Sequence, residues 1–167
     1  MVLTKTELIA SLQNEARILL HLAGKIEPTM VDYRPTPNQR STIELLRYLV
    51  IMGPSLVASA TAGAFDRDAW TTATAGAASL TVDQAISAIA AQPEAYASLL
   101  SGLSDDDFRA EITMFGSTSS VGAFIVGHVL CGCAAYRTQL FLYLKACGRA
   151  ELSTMNLWVG MDAAAAV

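Results

Sequence analysis

Residues 121–148, VGAFIVGHVLCGCAAYRTQLFLYLKACG, read as one long helix that is apolar nearly all round and carries a single polar stripe. At 100° per residue, His128, Gly132, Tyr136, Gln139 and Tyr143 fall within an arc of roughly 80°. An imidazole, an amide and two phenols on an apolar rod must meet polar partners or face a cavity, because burying each unpaired costs about 1–3 kcal/mol. Any site is therefore sought along that stripe. The Ser and Thr run at 117–120 supplies the start of the helix, and Gly148 its stop. The apolar part, Val121 to Tyr136, is 16 residues long and ends at Arg137. That falls short of the roughly 20 residues a bilayer requires, so no membrane partner is expected.

Outward from this helix, the 167 residues fit a single domain, 1–167. A hydrophobic content of 53% with 16% charged residues, and a mean hydropathy of +0.40, is more apolar side chain than one small core can hide. A second buried face is expected, as in a homodimer. The net charge of -4 and the scatter of only 11 Lys and Arg argue against nucleic acid, whose phosphates need a basic patch. Lys5, Glu7, Glu15 and Arg17 stand where a signal peptide would be uncharged. Cys131, Cys133 and Cys147 are odd in number and lie within the helical run, which suits reduced core thiols and a cytoplasmic location.

Three capping boxes mark further helices: Thr4 with Glu7, Ser41 with Glu44, and Thr81 with Gln84. Leu8, Leu12, Leu19 and Ile26 carry the first helix to about Ile26, where Pro28 closes it. Residues 27–40 hold three prolines and predict an extended crossover on the surface. The second helix runs through Pro54 with a kink near Gly53, and residues 61–80 predict a turn and a short helical piece. The third helix continues past Pro93 with a bend; Ser104 caps a brief turn, with Asp105, Asp106 and Asp107 as a solvated helix start. No strand is predicted. The last 19 residues predict a packed coil and an alanine-rich loose end. The fold class is all-α: an antiparallel-type four-helix bundle with a long crossover after helix one.

The runs DYRPTPNQRSTIELLRYL at 32–49 and AAYRTQLFLYLKACG at 134–148 resemble the DinB/YfiT-like superfamily of four-helix bundles over most of the chain. The resemblance rests on the RP connection, the Arg-Ser start of helix two and the Arg-x-Gln-Leu turn of the last helix. In that superfamily a divalent metal is held by three histidines, one from helix two and two spaced four apart in the last helix. The matching positions here are Tyr48, Gly132 and Tyr136, so the resemblance implies the fold without the usual metal site. It implies a small-molecule-binding or non-catalytic homodimer; the alternative is a transferase or hydrolase using an atypical metal or a thiol cofactor.

The candidate ligand pocket comprises Tyr48, His128, Gly132, Tyr136, Gln139 and Tyr143, with Gly132 leaving room for an organic ligand. No metal and no cofactor are expected, because Gly132 offers no ligand atom and neutral tyrosine is a poor zinc ligand. His128 admits three readings: a hydrogen-bonded core residue, a ligand of an atypical metal with Cys131, or a proton-transfer group in the pocket. Arg137 points away from His128 and reads as a structural clamp, paired with a carboxylate or with the other subunit. Trp70 and Trp158 read as packing anchors.

Overall fold

Every capping box named above starts a helix, with both reciprocal hydrogen bonds formed. The structure, a computed structural model, describes residues 3–163; the alanine-rich end at 164–167 lies outside them. Helices α1 (Lys5–Ala23) and α2 (Thr42–Ala62) are followed by α3 (Arg67–Ala77), α4 (Val82–Ala90), α5 (Gln92–Ser101) and α6 (Asp105–Arg109). A hairpin of β1 (Glu111–Met114) and β2 (Ser117–Ser120) then leads into α7 (Val121–Phe124), a π-helical turn (Ile125–Leu130) and α8 (Cys131–Ala146). Helices α1 and α2 each pack against the α4–α5 arm on one side and α8 on the other, so they sit diagonally across a four-helix bundle. A diagonal step cannot be made by a tight turn, which accounts for the long crossover between them. A 3-10 turn at Pro28–Met30 and bonds from the Thr42 and Ile43 amides to the Tyr33 and Val31 carbonyls tie that crossover to the start of α2.

Leu12 and Leu22 of α1, Leu45, Leu46 and Leu49 of α2, Ile89, Leu100, and Ile125, Val129 and Leu140 of the last rod are buried together as the core. The expected structural clamp is also in place. Arg137 is buried, with its Nε 2.8 Å from Glu15 Oε2 of α1, and it donates to the Leu157 carbonyl. It thereby joins the last rod to α1 and to the C-terminal segment.

Several local expectations are corrected. The first helix ends at Ala23, three residues before Ile26, because after Gly24 the Lys25 and Ile26 amides turn to the carbonyls three residues back, Leu22 and Ala23, instead of four. The helix bearing Pro93 is broken into α4 and α5 at Ala91 rather than bent, since Pro93 fits the first turn of a new helix. A strand pair does form. Phe115 and Gly116 both have positive φ, 52° and 77°, the backbone of a two-residue hairpin turn, and Ile112 and Met114 alternate inward. The long rod runs 26 residues from Val121 to Ala146, as expected, but its apolar character continues past Arg137 far enough that the 16-residue length argument against a membrane span fails. By length and composition both this rod and α2 could cross a bilayer, although 56% of α2's apolar window is already buried inside the bundle.

Pro54 lies inside α2 and removes the amide that would have bonded the Val50 carbonyl. The buried Gln92 side chain takes its place, its Nε2 donating to the Leu49 and Val50 carbonyls at 2.8 and 3.2 Å. The Tyr96 hydroxyl in turn donates to Gln92 Oε1 at 3.2 Å and lies where a side chain on Gly53 would be. The pair Gly53-Pro54 is thus matched, atom for atom, by two side chains of α5.

Candidate ligand-binding site

A cavity of about 600 Å³ opens between α2, the start of α3, the hairpin tip and the last rod. Its wall includes Tyr48, Met52 and Leu56 from α2, Phe65 and Trp70, Phe115 from the hairpin, and Gly127, His128, Cys131, Gly132, Ala135 and Tyr136. None of these carries a formal carboxylate, ammonium or guanidinium. Gly132 lies over Met52, and a Cβ there would sit in ordinary contact at 3.4 Å from Met52 Cε, with no other atom within 4 Å except Met52 Sδ.

The aromatic rings of the wall touch in sequence. Centroids of Tyr136 and Tyr48 are 5.0 Å apart, Tyr48 and Trp70 6.2 Å, Trp70 and Phe65 5.6 Å, Phe65 and Phe115 5.2 Å, and Phe115 and His128 6.1 Å. Their planes are tilted by 49–68° from one to the next, the edge-to-face preference of quadrupolar rings. The result is a collar rather than a stack. Phe115 is held in the left-handed region, where a bulky residue is strained by about 1 kcal/mol. Its ring is 59% exposed and lies against Phe65, Phe124 and His128 at the cavity rim.

The polar stripe divides in two. His128, Gly132 and Tyr136 line the cavity with Tyr48, whereas Gln139 and Tyr143 do not reach it. Gln139 donates to the Tyr143 hydroxyl, which donates to the Arg40 carbonyl at 2.9 Å, so these two fasten the last rod to the crossover. The core reading of His128 is also corrected. His128 is exposed, has no hydrogen bond among the described residues, and stacks on Phe124 at 4.3 Å with 16° between planes. It sits in the π turn, whose i→i+5 bonding widens the helix, so bearings counted at 100° per residue do not carry across Ile125–Leu130. The same change of phase brings Cys131 to the cavity wall, where it is exposed; Cys133 is buried as expected, its thiol pushed up to about 12 by burial. Trp70 is half-buried in the wall, but Trp158 is 63% exposed and no packing anchor, touched by the Arg137 guanidinium 5.2 Å from its centroid.

Positions 48, 132 and 136 meet in space, yet their chemistry does not fit a divalent cation. Burial, followed by the neighbouring Tyr136 hydroxyl, pushes the Tyr48 phenol up to about 12, so it stays protonated and a poor ligand. Gly132 has no side chain to offer. Among the described residues no three His, Cys, Asp or Glu side chains converge.

Phe65, Trp70 and Phe115 were not legible as site residues. The first two lie in a stretch without apolar periodicity, and Phe115 sits in a turn whose usual Asn-Gly signature is replaced by Phe-Gly. The only available signal was the aromatic content of otherwise Ala-, Gly- and Thr-rich segments.

No known protein family and no curated protein matches the chain by sequence. In structure it is similar to a DinB-like protein, YjoA, from Bacillus subtilis, known from a crystal structure. The two share 18% identity with a TM-score of 0.67, over 87% of this chain and 94% of that one. The chain therefore has a DinB-like fold. At that identity the likeness carries architecture and not activity.

Proposed function

We propose that this chain is a small-molecule-binding protein that uses the DinB-like fold without the divalent cation of its superfamily, acting as a homodimer in the cytoplasm. The observation that carries the reading is the cavity of about 600 Å³ at positions 48, 132 and 136, walled by uncharged and largely aromatic side chains. Its volume is that of ordinary organic-ligand pockets, about 300–1,000 Å³. Where imidazoles would have held an ion, two phenols and a glycine leave space and two hydroxyl groups that can orient a polar atom of a ligand. The exposed Met155, Trp158, Val159 and Met161 of the C-terminal segment support a second buried face.

The test combines metal analysis of the purified protein with a thermal-shift screen of small aromatic compounds, on the wild type and on Gly132→Leu, which projects a bulky side chain into the cavity beside Met52. Compounds that raise Tm in the wild type and not in that variant, with no stoichiometric metal present, are the expected outcome. Stoichiometric zinc or nickel that is lost in Tyr136→Phe overturns the reading. Size-exclusion chromatography addresses the dimer separately, a monomer at micromolar concentration being the contrary result.

A further inference from the structure

A second cleft, of about 410 Å³, lies beside the aromatic cavity, and Tyr48 and Trp70 line both. Its wall carries Arg40, Glu44 and Arg47. Of the six arginines outside this pair, four are paired with acids, Arg34 with Glu44, Arg109 with Asp105 and Asp106, Arg137 with Glu15, and Arg149 with Glu27 and Glu151, while Arg17 bonds Asn14 and backbone carbonyls and Arg67 is exposed. Among the described residues neither Arg40 nor Arg47 has a carboxylate partner. The Arg40 guanidinium lies over the Tyr48 ring, 4.0 Å from its centroid. Arg47 is oriented by two bonds to one neutral acceptor, the Leu80 carbonyl, at 2.9 and 2.7 Å from Nε and Nη2, which leaves its Nη1 hydrogens unused. Glu44, the acid of this cleft, is committed: it accepts from the Ser41 amide at 2.7 Å and from Arg34 at 3.1 Å. The cleft therefore keeps an uncompensated positive charge on one side of a shared aromatic wall, and the cavity on the other side holds no charge at all.

We infer that the two clefts together take one amphipathic organic acid, with its apolar ring body in the cavity beside Gly132 and its carboxylate across the Tyr48–Trp70 wall at Arg40 and Arg47. This rests on the small-molecule reading above and names its ligand class. The division of labour follows from desolvation. A carboxylate placed in the uncharged cavity would lose its water without gaining a partner, whereas at the arginines it accepts charge-assisted, fork-shaped hydrogen bonds. An organic cation would be drawn to the faces of the collar, but Arg40 already occupies one face of Tyr48, and with Arg47 it repels a second positive charge. The net charge of -4 opposes an anion only at long range, and salt screens it beyond about 8 Å.

The test is titration calorimetry of the full chain with three probes of one shape: naphthalene-2-acetate, its neutral amide, and a naphthyl-trimethylammonium salt. The anion is expected to bind about tenfold tighter than the amide at low salt, with the gap narrowing at high salt. Arg40→Gln/Arg47→Gln should bring anion and amide to equal affinity, chiefly by weakening the anion, while Arg67→Gln, at an exposed arginine lining neither cleft, should change nothing. Retention of tertiary circular dichroism in the double variant controls for folding, and Arg47→Lys should restore part of the gap. An amide that binds as tightly as the anion, a gap that survives the double variant, or preference for the ammonium salt overturns this inference while the binding pocket stands. Failure of all three probes to bind the folded wild type overturns the pocket reading and this inference with it.

Discussion

Gly53 and Gly132 both lie where two helices of the bundle face each other beside a tyrosine, and they have opposite surroundings. At Gly53 the missing side chain is replaced by the Tyr96 hydroxyl, and a Cβ there would overlap that oxygen and lie 3.1 Å from Cζ. At Gly132 the missing side chain faces Met52 and then the cavity. Around the first, each polar atom has a partner: Gln92 bonds the carbonyl that Pro54 orphans, and Tyr96 bonds Gln92. Around the second, a collar of aromatic rings and His128 walls the cavity, and His128 has no hydrogen bond among the described residues. One junction is filled by the chain's own side chains, and the other is walled by them around a cavity. Closed polar networks of the first kind fix how helices meet, whereas space lined by aromatic rings is costly in lost contacts unless a ligand restores them.

The largest expected effect breaks the closed junction. Gly53→Ala forces Tyr96 out of its place, and overpacking of this kind costs about 1–3 kcal/mol or more even after the roughly 1 kcal/mol that alanine gains in helix propensity. A fall in denaturant midpoint of that size is expected; an unchanged midpoint would show that α5 can move away freely. Next is Gln92→Leu, which leaves the Val50 carbonyl and the Tyr96 hydroxyl buried and unpaired, at about 2 kcal/mol. Pro54→Ala restores the amide donor to Val50. It should recover part of the loss in the Gln92→Leu background and much less in the wild type, a coupling that a double-mutant cycle reads directly.

These two sites also show what a sequence can and cannot disclose. The capping boxes at Thr4, Ser41 and Thr81 were legible because their chemistry is local: a hydroxyl and a carboxylate or amide three residues apart close on each other whatever surrounds them. The pairing of Pro54 with Gln92 joins residues 38 positions apart, and no spacing rule connects them. The polar stripe from His128 to Tyr143 pointed to a rod that lines the cavity, but its two ends are placed differently, since the π turn shifts the phase at His128 and the Arg40 carbonyl takes Tyr143. The hairpin was invisible because Phe115 occupies a position at which asparagine or glycine would have announced a turn.

Gly132→Ala sharpens the open side of the comparison. A methyl group there meets Met52 at ordinary contact distance, and an alanine in a helix interior is favoured over glycine by about 0.5–1 kcal/mol. The variant is therefore expected to be slightly more stable than the wild type by denaturant melting, the reverse of Gly53→Ala. Destabilisation by as much as 1 kcal/mol would mean that the space beside Gly132 is closed in solution.

The smallest effect separates the two tyrosines by pH. Both phenols are pushed up by burial, Tyr48 to about 12 from an ordinary 10, and Tyr96 further. For an acid with a raised folded-state pKa, the native protein keeps a proton that the unfolded chain releases. Stability from such a group is complete below pH 10 and is lost as pH rises towards the folded-state value. The denaturant midpoint of the wild type should fall from pH 10 upwards; Tyr48→Phe and Tyr96→Phe should flatten that fall equally until Tyr48 nears its folded-state value of about 12, above which only Tyr96→Phe still flattens it, because Tyr96 is fully enclosed while Tyr48 is half-buried at a cavity wall. At pH 7 the ranking reappears as a loss of about 1 kcal/mol for Tyr96→Phe, which strands Gln92 Oε1, and less than that for Tyr48→Phe. Equal flattening by the two substitutions even beyond about pH 12 would mean that Tyr48 is as enclosed as Tyr96, and the contrast between a completed junction and an open one would then disappear.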